Sequence, residues 1–151
     1  MARRQRRDDK ESIMGFSTPE EAETAFYHAF EQRDLVAMMR VWSDDAAIEC
    51  IHPFGPRVRG PDAVRESWRR IFADAVDMRF RRKDLNRIQG SLLAVHILVE
   101  EIMSGGAGAE GAVIATNIYQ CTADGWTMLL HHASPRPREA QSSTETSQSV
   151  H

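Results

Sequence analysis

The chain has 151 residues, a formal net charge of -3, 42% hydrophobic and 27% charged residues, the profile of one soluble-type domain large enough to bury a core. An acidic balance excludes a dedicated nucleic-acid binder, and the basic run at Arg3, Arg4, Arg6 and Arg7 is diluted at once by Asp8, Asp9 and Glu11. No apolar run has membrane-spanning length and none follows the arginines as a secretory signal would, so no membrane partner is expected and the cytoplasm is the default compartment.

In chain order, residues 1–15 and 136–151 read as disordered tails, the second rich in Ser, Thr, Gln and Glu. Folded structure is expected over 16–135. Thr18 can cap a helix, Pro19 suits its first turn, and Glu21 completes a capping box. Ala22, Ala25, Phe26, Ala29 and Phe30 then share one helical face. Asp34 caps a second helix, in which Leu35, Met38, Met39 and Trp42 recur at helical spacing. A strand over 46–52 alternates Ile48, Cys50 and His52 against Ala47, Glu49 and Ile51. Pro53 ends it, and 54–59 reads as a loop. Gly60-Pro61-Asp62 opens a third helix carrying Val64, Trp68, Ile71 and Phe72 on one side.

Four strands follow. The first, over 76–88, has a charged face with Arg79, Arg81 and Lys83; the second, over 92–103, is apolar on both faces, as a strand covered on two sides would be. Four glycines between 104 and 111 make a connection. The last two strands, joined at Asp124-Gly125, form a hairpin near the centre of the sheet, with Asn117, Gln120, His131 and His132 set among aliphatic residues. Because side chains alternate, His131 and His132 face opposite ways. Cys50 and Cys121 have neither metal-ligand nor disulfide-framework spacing.

Helices followed by strands give an α+β fold with helices on one face of a mainly antiparallel sheet. The other apolar face needs a cover, and a second copy of the chain, a homodimer through the sheet, is the simplest one.

This order resembles the nuclear transport factor 2-like superfamily, especially its SnoaL-like and ketosteroid-isomerase-like members. The resemblance rests on Asp34-Leu35 before the helix ending at Trp42, Asp44-Asp45, the His52-Pro53 strand exit, Gly60, and the terminal ATNIYQCTADGWTMLLHHASP. It implies a cone-shaped α+β barrel, three helices on a curved sheet, with a pocket for a small apolar molecule. Phe26, Trp42, Cys50, Trp68, Phe72, Asn117 and Tyr119 would line that pocket, with core packing the competing role for each aromatic.

Steroid isomerisation itself is not expected. The strand exit offers Cys50 or His52 where relatives place a carboxylate, and the helix offers Phe26, with Tyr27 adjacent, where they place a tyrosine. His52 is the acid/base candidate, because imidazole titrates near neutrality; a structural histidine at a strand end is the alternative. His96 and Glu100 share a strand face as a prospective base and orienting partner, or as an interface pair; His131 or His132 would assist. No metal or cofactor is expected: no ligand motif supports a set made of His52, His96 and a terminal histidine, and the glycines lack a dinucleotide-loop context. The reading is a SnoaL-like pocket protein catalysing proton transfer, isomerisation or dehydration on an apolar or polyketide-like molecule. The alternatives are a non-catalytic dimeric ligand-binding or association module, and a cavity filled by its own side chains.

Overall fold

The computed structural model describes residues 15–74, 77–104 and 109–137; the tails expected at both ends, apart from residues 15, 136 and 137, and most of the glycine connection lie outside the described residues. The elements are α1 (Pro19–Gln32), α2 (Leu35–Val41), β1 (Glu49–Ile51), β2 (Arg57–Arg59), α3 (Pro61–Asp74), β3 (Met78–Gln89), β4 (Leu93–Ser104), β5 (Ala109–Thr122) and β6 (Gly125–Pro135).

Local chemistry sets the helix starts. The Thr18 hydroxyl accepts from the Glu21 amide at 3.1 Å, and the Glu21 carboxylate reaches back to the Ser17 amide at 3.1 Å. Two otherwise orphaned donors are satisfied, an arrangement worth about 1 kcal/mol. Asp34 caps α2 in the same way, accepting from Ala37 at 2.9 Å. Between the helices Arg33 adopts φ 53 and bonds back to the last turn of α1, so α2 folds back against α1.

The sheet runs β2-β1-β6-β5-β4-β3. Every neighbour is antiparallel except β1 on β6, where Glu49 pairs with Leu130 in parallel. The 125–135 hairpin strand thus lies at the centre, as its composition predicts. Gly125 takes φ 113 in the turn, and Phe16 pairs with Trp126 through amide bonds of 2.9 and 2.8 Å.

One expectation is corrected, and the expected fold of three helices on a mainly antiparallel sheet is found open rather than closed. Residues 57–59 are not loop: Phe54 at φ 59 reverses the chain, and β2 returns antiparallel on a first strand that is itself only Glu49–Ile51. The Arg57 guanidinium forks onto Glu49, with one bond of 2.9 Å, and holds that hairpin. Nor does the sheet close into a barrel: among the described residues β2 and β3 remain unpaired edges of one curved layer.

The core lies between the helices and the inner face of the sheet. Phe26 packs edge-on to Trp68 at 5.5 Å, Phe30 to Trp68 at 4.8 Å, and Phe30 to Phe80 at 4.4 Å. Such pairs add about 0.5–1.5 kcal/mol each beyond the area they bury.

Candidate functional site

Strand alternation builds a polar patch into that inner face. On β4 it turns His96 and Glu100 inward on either side of Leu98; on β5 it does the same for Asn117 and Tyr119; on β6 it turns His131 inward. Register sets His96, Asn117 and His131 side by side across three strands. Above them α1 lowers Glu23 and Tyr27, four residues apart and hence on one stripe.

Two hydrogen-bonded groups result. In the first, His131 Nδ1 donates to Asn117 Oδ1 at 2.6 Å, Asn117 Nδ2 donates to Tyr27 Oη at 3.0 Å, and Tyr27 Oη donates to Glu100 Oε1 at 2.5 Å. Every donor points towards Glu100, so each bond polarises the next. Burial raises the Glu100 carboxyl to about 7, the Tyr27 bond pulling against it. Burial, with the charge of Glu100 behind it, also holds the Tyr27 phenol well above its ordinary range, which keeps it a donor. Burial lowers His131 to about 3, so its ring is neutral.

The second group centres on Glu23, whose side chain is 2% exposed. Its Oε2 is bound by His96 Nδ1, while Arg82 and Arg87 approach at 3.7 and 3.8 Å. Three buried atoms here have no hydrogen-bond partner: Glu23 Oε1, His96 Nε2 and Tyr119 Oη, the last beside Asn117 but outside hydrogen-bond geometry. Unmet buried polar atoms cost about 1–3 kcal/mol each, so their clustering marks a place where a guest could supply partners.

An opening adjoins this group. A cleft of about 470 Å³ between α1 and β3 is lined by Glu20, Glu23, Thr24, Phe80, Arg81, Arg82, Asp84 and Arg87. Glu23 belongs to both the buried group and the cleft wall. It is the residue through which the interior meets the opening.

The residues expected at the site divide. His96, Glu100, Asn117, Tyr119 and His131 are brought together on the inner face. His96 and Glu100, however, do not serve as base and orienter for each other: each pairs with α1 instead, through Glu23 and Tyr27. His52, at the exit of β1, neighbours His131 on β6, the two rings 6.4 Å apart, but β6 and β5 stand between β1 and β4, so it is remote from His96 and Glu100; three strand spacings are roughly 14 Å. There its Nε2 lies 3.2 Å from Ser67 Oγ and 3.4 Å from Cys50 Sγ, with its ring edge-on to Trp68. Burial lowers His52 to about 4 and pushes the Cys50 thiol up. His52 and His96 therefore form no common ligand set. His132 is exposed on the outer face, away from the interior.

Phe26, Trp42, Cys50 and Trp68 are buried in the core and Phe72 packs against it, and none of the five lines the α1–β3 cleft. Reading the sequence missed Glu23 and Arg82. The available signal was the Glu23/Tyr27 spacing, one turn on a helix whose next stripe holds Phe26 and Phe30.

Comparison with known proteins identifies the fold. The SnoaL-like domain matches residues 20–138. A proposed calcium/calmodulin-dependent protein kinase type II association domain from Thiobacillus denitrificans is 42% identical, covers 82% of this chain and 98% of its own, and superposes with a TM-score of 0.79. A proposed dehydratase of the NTF2-like family from Streptomyces avermitilis is 31% identical, with coverage of 78% and 93% and a TM-score of 0.71. The F-box protein SKIP8 of Arabidopsis thaliana is 27% identical over 120 residues, 74% of this chain; the chain spans about half, 46%, of the length of that curated relative.

Proposed function

The chain belongs to the SnoaL-like domain family, within the NTF2-like superfamily, and from that premise we propose that it binds a small molecule in the α1–β3 cleft and moves a proton on it. The observation that carries this reading is Glu23 Oε1, a buried carboxylate oxygen on the cleft wall with no hydrogen-bond partner, while its twin is held by His96. A carboxylate held at one oxygen by His96, and at the other only by a 3.7 Å ion pair with Arg82, keeps a lone pair free of hydrogen bonds and suits a general base. Glu23 removes a proton from a carbon beside a carbonyl, the electron pair passing to the carbonyl oxygen. The resulting carboxylic acid returns the proton to another carbon, completing an isomerisation, or to a departing hydroxyl, completing a dehydration. Glu100, near its midpoint at neutral pH and fed by the Tyr27 donor, buffers charge behind Glu23.

The test needs no prior substrate. Small 2-oxo and 3-hydroxy acyl compounds are incubated with the protein in deuterium oxide and followed by NMR for deuterium at carbon. Incorporation is expected for at least one compound, falling about 100-fold or more in Glu23→Gln. No incorporation, or equal incorporation in the variant, sinks the reading.

A second reading, association with another copy, is favoured by the outer face of the sheet, where Ile97, Ile114, Ile118 and Leu130 sit half-buried on adjacent strands. The similarity to an association domain supports it. Sedimentation should give a dimer or larger species; a monomer at micromolar concentration counts against it.

A further inference from the structure

The cleft contains a guanidinium that is ion-paired and stacked but whose N–H donors find no hydrogen bond among the described residues. Of the arginines along β3, Arg79 bonds Glu31 at 3.4 Å, Arg81 lies 3.9 Å from Glu101, and Arg87 bonds Asp84 and Glu20 at 3.2 and 3.4 Å. Arg82 differs. Its guanidinium lies over the Tyr27 ring, 4.8 Å from the centroid, and meets only Glu23 Oε1, at 3.7 Å. Among the described residues it makes no side-chain hydrogen bond. Stacking on an aromatic face fixes the plane of a guanidinium without using its N–H donors. Its side chain is 33% exposed and lines the cleft, facing the oxygen of Glu23 that also lacks a hydrogen bond.

The other acids in the cleft, Glu20 and Asp84, are engaged with Arg87, and Glu23 is held by His96 at one oxygen and faces Arg82 with the other. A cationic guest would meet three guanidiniums with those carboxylates taken, and a neutral one would leave the Arg82 fork unmet. We infer that Arg82 is the anchor for an oxyanion, and that the molecule bound in the cleft is a small carboxylic acid. Its carboxylate sits in the guanidinium fork and its acidic C–H faces Glu23. This rests on the cleft reading above and adds the substrate class to it.

Benzoate and its neutral isostere benzamide separate the possibilities by calorimetric titration of the full chain. Benzoate should bind saturably and at least tenfold more tightly than benzamide. Arg82→Gln should weaken benzoate at least tenfold and Arg87→Gln by clearly less. Arg82→Lys keeps the charge and stem without the fork and should weaken benzoate at least threefold, which secures the test if the glutamine variant fails to fold. Benzamide binding as well as benzoate, no benzoate binding, equal losses in the Arg82 and Arg87 variants, or an unaffected lysine variant would overturn the assignment. Selective benzoate binding without any deuterium exchange removes the proton-transfer reading and leaves the anion site standing. Exchange lost in Glu23→Gln with no preference for benzoate does the reverse.

Discussion

Replacing Glu100 by glutamine should remove one limb of the dependence of stability on pH. Burial raises this carboxyl from 4.5 to about 7 in the folded chain. Between those values the folded protein holds a proton that the unfolded chain has released, so the contribution is full below the lower value and is lost as pH rises through the upper one. At about 1.4 kcal/mol per pH unit, the interval from 4.5 to about 7 amounts to roughly 3 kcal/mol. Glutamine preserves the shape and an acceptor for the Tyr27 hydroxyl but does not titrate. Urea unfolding followed by the fluorescence of Trp42, Trp68 and Trp126, from about pH 4 to pH 8, measures the difference. The variant should gain on the wild type by roughly 3 kcal/mol across that range. His52 and His131, lowered by burial to about 4 and about 3, lose stability as pH falls below their ordinary range. That opposite slope is common to both proteins and cancels in the difference. Parallel curves would show that Glu100 does not change protonation on folding, and the reasoning would fail.

Asn117→Ala cuts the bond from His131 and the bond to Tyr27 in a site with no water access; thermal and urea unfolding should show a loss of about 2–4 kcal/mol, and a loss under 1 kcal/mol would mean the network reorganises freely. Gly125→Ala should cost about 1–3 kcal/mol, because its φ is 113 and a Cβ there would lie 2.7 Å from the Phe16 carbonyl. Amide exchange at Phe16 and Trp126 should rise in that variant; unchanged protection would contradict the close approach.

What could be read from the residues alone was what depends on near neighbours. The Thr18 cap, the Asp124-Gly125 turn and the shared face of His96 and Glu100 on β4 are local, and all are realised. Arg57-Val58-Arg59 is too short to show alternation, and it becomes a strand because Phe54 reverses the chain beside β1. Glu23 on a helix ordinarily reads as solvated. Only the apposition of α1 with β4 buries it on His96, a relation no spacing along the chain contains. Arg82 was hidden among other β3 charges, and its difference from them appears only when each partner is known. His52 drew attention by its residue type, whereas position decides: it neighbours His131 at 6.4 Å, but two strands stand between its own and the one that carries His96 and Glu100.

The one parallel pairing has a bearing on how the chain is made. Glu49 meets Leu130, so the short first hairpin stays untethered until almost the last strand has left the ribosome, and the oily stripes of α1 and α2 wait as long for the sheet that covers them. Truncation within β6 should therefore cost the whole protein rather than its end: the nascent amino-terminal half can pack α1 on α3 through Phe26, Phe30 and Trp68, but it lacks the sheet that buries them.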